Sequence, residues 1–189
     1  MKVDSNIAQA VVERLTAAIG IDARVLEPAR LRWIVAARCR ELKLSEAADY
    51  IGYLDRTPAE LDALVDDVVV QETRFFRDPA VFDHVRRAIA ELAANIAGPL
   101  RVLSAPCGTG QEAYSIAALM QLCGVPPARF TIDAFDISAK ALAVARSGVY
   151  PERALHHVAV ELRDACGKPQ EKQLAIHEEI GRASCRERV

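Results

Sequence analysis

The sequence lacks a run of about 18 apolar residues, the minimum for a membrane-spanning helix. Its N-terminal segment also lacks the uninterrupted apolar stretch of a signal peptide, because Asp4, Glu13 and Arg14 interrupt it. We therefore expect a cytoplasmic protein with no direct membrane insertion.

Patterns for metal binding and for nucleophilic catalysis are missing as well. The five cysteines form no CxxC pair and have no histidines at ligand spacing, so we expect free, mainly buried thiols and no metal site. No catalytic triad is recognisable in the order or spacing of the polar residues.

A large excess of one charge is also absent. The net charge is −2 and no basic tail is present, which argues against bulk affinity for nucleic acid. Of the 189 residues, 51% are hydrophobic and 26% are charged, which is typical of a globular protein with one domain or two small ones. We expect it to be a monomer.

The most informative segment is residues 100–120, LRVLSAPCGTGQEAYSIAALM. It predicts a strand, a turn through Gly108 and Gly110, and a helix from Gln111. The third glycine of a dinucleotide G-x-G-x-x-G loop is missing, and Glu112 stands where the phosphate would lie. Because a carboxylate repels an anion, the loop suits an uncharged or cationic nucleoside.

A second predicted strand, residues 130–136, ends in Asp136. An acid at this position of a Rossmann-like sheet accepts hydrogen bonds from the ribose hydroxyls, whereas Asp133 lies mid-strand. S-adenosylmethionine has a ribose, a sulfonium cation and no phosphate, so it satisfies both observations. Two alternatives stay open: an ordinary Gly-Thr-Gly turn, and Asp136 as the N-cap of the next helix, a role that Ser138 can also fill.

Helical periodicity dominates residues 1–68, which predicts a small all-α domain before an α/β domain at residues 69–179. Within it, residues 28–44 are predicted to form a helix, and Arg32, Arg40 and Lys43 gather on one face of it. Its buried side is predicted to carry Leu31, Val35, Cys39 and Leu42. Such a basic face is either a solvated surface or a surface that steers an acidic partner.

Three motifs occur in order: ETRFFRDP at residues 72–79, SAPCGTGQEAYSIAALM at 104–120, and DISAKALAVARSGVY at 136–150. Together they resemble the chemotaxis receptor methyltransferases, the CheR family. The sequence departs from the family pattern at Gln71, Gln111 and Ala113, where the family often has Asn, Glu and Pro.

The resemblance implies a Rossmann-like, S-adenosylmethionine-dependent methyltransferase that modifies glutamate side chains of chemoreceptors. It assigns Thr73 and Arg77 to the methionine end of the cofactor, Glu112 to its cationic end and Asp136 to the ribose. Because Arg77 would lie at the methionine end, we also expect it to be the catalytic residue that orients the incoming acceptor carboxylate. The loop residues assigned to the cofactor are Ala105, Gly108 and Gly110.

The resemblance also implies that the N-terminal helices bind the cytoplasmic helices of chemoreceptors, with Arg32, Arg40 and Lys43 as the contacts. From the residues alone, Arg77 could instead pair with Asp78, and Thr73 could cap a helix or turn. The cofactor motifs do not encode the acceptor. Methyl transfer to another protein or a small molecule, and a binding module without turnover, therefore remain alternatives.

After Tyr150 the chain offers too few elements to complete a Rossmann-like sheet, so we predict an incomplete methyltransferase domain. Residues 180–189, IGRASCRERV, match a translated reading frame of a common sequencing adaptor. We predict that this segment is a non-native tail, the alternative being a natural basic tail.

Overall fold

A computed structural model describes residues 3–69, 72–170, 173–176 and 184–187. The chain divides into two compact units, Met1–Val70 and Gln71–Val189, and each has its own hydrophobic core. The domain ranges expected from the sequence, 1–68, 69–179 and 180–189, remain predictions.

The first unit is helical, as expected. Asp4 begins the first helix by accepting the backbone N–H of Ile7 at 2.9 Å, and Gly20 ends it in the left-handed conformation. Two later helices begin at a proline, which fits the first helical position because its missing N–H is not needed there. The helices are α1 (Ser5–Ile19), α2 (Pro28–Glu41), α3 (Asp49–Arg56) and α4 (Pro58–Val68).

The buried side of α2 carries Leu31, Val35 and Cys39, as the periodicity predicts. Leu42, which was predicted on the same side, is half-buried and caps the end of the helix. The helix ends at Glu41 and does not continue to residue 44, because Lys43 adopts a positive φ of 57°. Lys43 therefore lies just beyond the helix whose basic face it was expected to share.

A buried polar cluster joins three helices of this unit. The Arg38 guanidinium donates to both carboxylate oxygens of Glu60, at 2.9 Å and 2.7 Å, and the Tyr50 hydroxyl donates to Glu60 Oε1 at 2.8 Å. The Glu60 side chain is only 3% exposed. Arg38 thus serves the interior of the unit and does not extend the basic surface of α2.

The second unit combines helices with two small sheets. Its helices are α5 (Pro79–Asn95), α6 (Gln111–Leu122), α7 (Ala139–Ser147) and α8 (Val160–Cys166). Its strands are β1 (Leu100–Ser104), β2 (Phe130–Asp136), β3 (Val149–Pro151), β4 (Gly167–Gln170), β5 (Gln173–Ile176) and β6 (Ser184–Glu187). Short 3₁₀ turns occur in the second unit at Pro127–Arg129 and Glu152–Leu155, and in the first unit at Ala23–Val25.

The first sheet has the order β1-β2-β6, and both of its strand pairs are parallel. Leu100 is in register with Phe130, and Ser104 with Ala134. The second sheet, β3-β5-β4, is antiparallel. An all-α segment followed by a parallel sheet with intervening helices confirms the predicted fold class, an incomplete Rossmann-like domain behind a helical region.

Two elements of the second unit explain why its core closes around β1 and β2. Helix α6 is buried at every position from 113 to 120, so it forms the centre of the core. Helix α7 is preceded by Ser138, whose hydroxyl accepts the N–H of Ala141 at 3.1 Å. Ser138 is therefore the N-cap, and the alternative that gave this role to Asp136 is wrong.

Strand β6 lies in the segment predicted to be non-native. Its backbone pairs with residues 133–136 of β2. This pairing does not test whether the segment is native. The origin of residues 180–189 stays a prediction.

The sequence predicts no membrane-spanning helix, no metal site and unpaired thiols, and the described part of the chain bears on each of these. It contains no helix long and apolar enough to cross a membrane, and no cluster of three or more metal-ligating side chains. Among the described residues, Cys39, Cys107 and Cys166 are buried and Cys123 is half-buried, and none of these four forms a disulfide. The predictions for the Cys185 side chain and for His177 fall outside the part of the chain that the structure describes.

Candidate cofactor site

The glycine loop follows the last residue of β1. The chain passes through a cis Ala105–Pro106 peptide and then reaches Gly108 and Gly110, which have positive φ values of 54° and 92°. The N–H of Cys107 donates to the carbonyl of Phe135 at 2.8 Å, which ties the loop to the end of β2. The loop thus lies at the carboxyl edge of both strands, where open α/β sheets bind their ligands.

Gly110 lies closely against helix α7. A Cβ built on Gly110 would lie 2.8 Å from Cβ of Ala145, which is closer than real Cβ atoms approach. With a φ of 92° in addition, the position requires glycine for both backbone conformation and space.

The carboxylate of Asp136 meets the loop directly. Its Oδ2 accepts the N–H of Gly108 at 2.7 Å and its Oδ1 accepts the N–H of Ser138 at 2.9 Å, and the residue is 5% exposed. A carboxylate has about four acceptor positions, and these bonds use two. The remaining lone pairs can accept the hydroxyls of a ribose.

Glu112 lies in the first turn of α6, as the sequence predicts. Its Oε1 accepts the Ser104 hydroxyl at 2.7 Å, which brings the carboxylate to the end of β1. Glu112 is exposed, and the helix N-terminus stabilises its negative charge. Two carboxylates at one sheet edge fit a nucleoside with a cationic substituent, and they do not fit a pyrophosphate.

The segment with Thr73 and Arg77 is attached to the same helix one turn further on. The N–H of Phe76 donates to the Ser115 hydroxyl at 3.1 Å, and this hydroxyl donates to the carbonyl of Gln111 at 2.6 Å. Because Ser115 follows Glu112 by three residues, both lie on the same side of α6. The structure thus brings the Thr73–Arg77 segment to the helix that carries Glu112.

The Arg77 side chain is 58% exposed and turns back along its own segment. It donates to the backbone carbonyl of Glu72 and pairs with Glu72 Oε2 at 3.3 Å, and not with Asp78. Asp78 instead caps α5. Thr73 is half-buried next to the buried rings of Phe75 and Phe76.

A cavity of about 370 Å³ borders the other side of this segment, between α5, the end of α6 and α8. Arg74, Arg77 and Arg86 lie in its walls beside the apolar surfaces of Phe76 and Phe82. The glycine loop is not part of these walls, so the cavity is distinct from the nucleoside end of the site.

Three residues that contribute to this geometry were missed by the sequence analysis. Ser115 lies inside an apolar helix and is buried. Because a buried hydroxyl needs hydrogen-bond partners, a serine in this apolar run could have been recognised as a tertiary contact from the sequence. Tyr150 is the last residue of the third motif and is buried, so its hydroxyl also needs a hydrogen-bond partner. His157 donates from Nε2 to the carbonyl oxygen of Phe75 at 2.8 Å, and no local pattern indicated that contact.

A parallel strand pair, a glycine loop after the first strand and an acid at the end of the second define a Rossmann-like nucleoside-binding domain. Residues 71–186 match the family described as CheR methyltransferase, SAM binding domain, and the chain belongs to this family. The match confirms the resemblance found in the sequence, and it makes S-adenosylmethionine the cofactor of this domain.

Named relatives agree with the family. The probable biofilm formation methyltransferase WspC of Pseudomonas aeruginosa is 36% identical over 152 residues, which is 79% of this chain and 36% of that protein. Chemotaxis protein methyltransferase 2 of the same species is 35% identical over 162 residues, 82% of this chain and 55% of that protein. The chemotaxis protein methyltransferase of Escherichia coli is 34% identical over 128 residues, 64% of this chain and 42% of that protein. The chain thus spans between 36% and 55% of the length of these curated relatives.

Proposed function

We propose that the protein transfers a methyl group from S-adenosylmethionine to glutamate side chains of chemoreceptors, as part of chemotactic adaptation. The observation that carries the proposal is the bond between Asp136 and the N–H of Gly108 at the shared edge of β1 and β2. Family membership and the names of two relatives as chemotaxis methyltransferases support the same reaction.

We assign the cofactor roles from the resemblance, and the positions of Asp136 and Glu112 at the sheet edge support two of them. Asp136 accepts the ribose hydroxyls, Glu112 binds the cationic end, and Thr73 with Arg77 holds the methionine carboxylate, since a guanidinium pairs well with a carboxylate. The loop residues Ala105, Gly108 and Gly110 approach the nucleoside with their backbone.

The bound cofactor supplies an electrophilic methyl group on its sulfonium. The acceptor carboxylate forms a bond to that methyl carbon as the carbon–sulfur bond breaks, which gives a methyl ester and S-adenosylhomocysteine. Because a glutamate is already ionised near neutral pH, no general base is needed, and the protein contributes by positioning and desolvating the carboxylate.

Arg77 is the residue we assign to the incoming carboxylate. Its pairing with Glu72 is exposed, and exposed pairs contribute about 0–1 kcal/mol, so exchanging this partner for an acceptor costs little. The neighbouring cavity, with Arg74 and Arg86 in its walls, supplies positive charge where an acidic segment approaches.

We assign the receptor contact to Arg32, Arg40 and Lys43 in the helical region that we propose as a domain of residues 1–68. Arg40 and Lys43 are exposed and Arg32 is half-buried. A basic surface of this kind steers glutamate-rich helices, and the cytoplasmic part of a receptor places the reaction in the cytoplasm. We assign the methyltransferase domain to residues 69–179.

The test is transfer of a labelled methyl group to receptor cytoplasmic fragments. We expect label on the receptor that is lost by base treatment, as methyl esters are, and that falls when acceptor glutamates are changed to glutamine. Label that persists on the Glu→Gln fragments would indicate another acceptor. Stabilisation by S-adenosylmethionine without any labelled product would indicate a binding module without turnover.

A further inference from the structure

Tyr150 in β3 connects two parts of the candidate site that are distant in sequence. Its hydroxyl donates to the backbone carbonyl of Thr109, in the middle of the glycine loop, at 2.6 Å. The side chain is buried, with 3% exposure. The hydroxyl also lies 3.1 Å from the position that a Cβ on Gly110 would take, so the loop packs directly against it.

The ring of the same tyrosine contacts the segment that carries Thr73 and Arg77. It packs edge to face on Phe75, with ring centroids 5.1 Å apart and an angle of 84°. Phe75 is fully buried, and its carbonyl is held by His157 at 2.8 Å. One side chain thus touches both the nucleoside end and the methionine end of the site.

We propose that Tyr150 is a positioning residue, which holds the glycine loop at the orientation and spacing that the cofactor requires. The proposal rests on the proposed function, because it assumes that this loop binds S-adenosylmethionine. Gly108 and Gly110 give the loop more backbone freedom than other residues would, and a bond to the carbonyl between them removes that freedom before the ligand arrives. The N–H of Gly108 then stays directed at Asp136.

The test compares Tyr150→Phe with a matched control, Tyr114→Phe. The Tyr114 hydroxyl is also buried and also donates to a backbone carbonyl, that of Ala145 in α7 at 2.5 Å. Both variants therefore lose one buried hydroxyl bond and keep the ring, but only Tyr150→Phe releases the loop. Calorimetry with S-adenosylhomocysteine measures the affinity of each purified protein.

We expect Tyr150→Phe to bind S-adenosylhomocysteine about three- to tenfold more weakly, the size of one net hydrogen bond, and Tyr114→Phe to bind within about twofold of the unchanged protein. Amide hydrogen exchange on the ligand-free proteins gives a second readout. The amides of Gly108 and Gly110 should exchange faster in Tyr150→Phe than in Tyr114→Phe.

Equal affinity and equal loop exchange in the two variants would overturn the positioning role, because the tyrosine would then be structural only. If the unchanged protein binds S-adenosylhomocysteine and the two variants do not differ, this inference alone fails. If the unchanged protein itself has no affinity for S-adenosylhomocysteine, the proposed function fails, and the role of Tyr150 fails with it.

Discussion

Asp136 Oδ2 accepts the backbone N–H of Gly108, with 2.7 Å between the two atoms, and this bond joins the end of β2 to the loop after β1. Its other oxygen accepts the N–H of Ser138 at 2.9 Å. The carboxylate therefore organises both the loop and the start of α7 before any ligand is bound.

Replacing Asp136 with asparagine should weaken S-adenosylmethionine binding at least about tenfold, the size of one or more lost hydrogen bonds to a charged group. An amide has one acceptor oxygen, so its NH₂ must face one of the two backbone N–H donors. Asp133→Asn is the control, because Asp133 lies on the same strand and pairs with the exposed Arg101 at 2.8 Å. Calorimetry should show Asp133→Asn close to the unchanged protein, and equal losses in both variants would contradict the role of Asp136.

Replacing Gly110 with alanine should destabilise the second unit by about 2–5 kcal/mol, since a left-handed φ costs about 1–3 kcal/mol and overpacking costs a similar amount. The new Cβ would lie 2.8 Å from Cβ of Ala145. Gly124 is the control: its φ is 76°, but no heavy atom of the described residues lies within 4 Å of an added Cβ. Urea denaturation should give Gly124→Ala only the conformational cost of its left-handed φ, about 1–3 kcal/mol, without the overpacking cost. A Gly110→Ala loss no larger than this would show that the contact with α7 is not tight.

Replacing Glu60 with glutamine should destabilise the first unit by about 1–3 kcal/mol, because a neutral amide no longer pairs with the buried Arg38 charge. Glu41 at 2.7 Å and Asp67 at 3.6 Å remain as the more exposed partners of Arg38. The carboxylate of Glu60 holds the pKa of Arg38 above its usual value. Burial, together with the Glu60 carboxylate, raises the pKa of Tyr50. The expected loss therefore involves two partners of one carboxylate.

The matched control is Asp55→Asn, which removes the carboxylate that pairs with Arg14. In this ion pair the Arg14 side chain is 28% exposed and the Asp55 side chain is 48% exposed. Exposed pairs contribute about 0–1 kcal/mol, so this variant should be nearly as stable as the unchanged protein in guanidinium denaturation. Similar midpoints for Glu60→Gln and Asp55→Asn would refute the importance of the buried cluster.

Cys166 should make the second unit less stable at alkaline pH. Burial raises the pKa of its thiol from 9.0 to about 12. The folded state therefore keeps the proton more tightly than the unfolded state, and the stabilisation is present below pH 9 and is lost as the pH rises from about 9 to about 12. The slope approaches about 1.4 kcal/mol per pH unit in this window.

The measurement is the free energy of unfolding against pH for the unchanged protein and for Cys166→Ala, whose slope should be smaller between pH 9 and 12. Cys123→Ala serves as the control because its thiol is only half-buried. Identical slopes for all three proteins would contradict the assignment. In the folded protein, mass spectrometry should also find Cys123 alkylated before Cys166.

Local pattern predicted the elements around the site well. The sequence indicates a strand at the start of residues 100–120, a helix from Gln111, a strand at residues 130–136 and a cap at Ser138, and the structure confirms each. These features depend on side-chain alternation, glycine conformation and short polar caps, all of which act within a few residues. The end of α2 was predicted too late because a single backbone angle, that of Lys43, decided it.

Residue order along the chain is enough to predict the class of domain, the position of the glycine loop and the acid at the end of β2. The contacts of Tyr150 with Thr109 and Phe75, and of Arg38 with Glu60, become visible only once the chain is folded. Such partners are separated by more than twenty residues and are selected by burial. An interior polar group must find whichever acceptor the packing brings near, and no local spacing specifies which one that is.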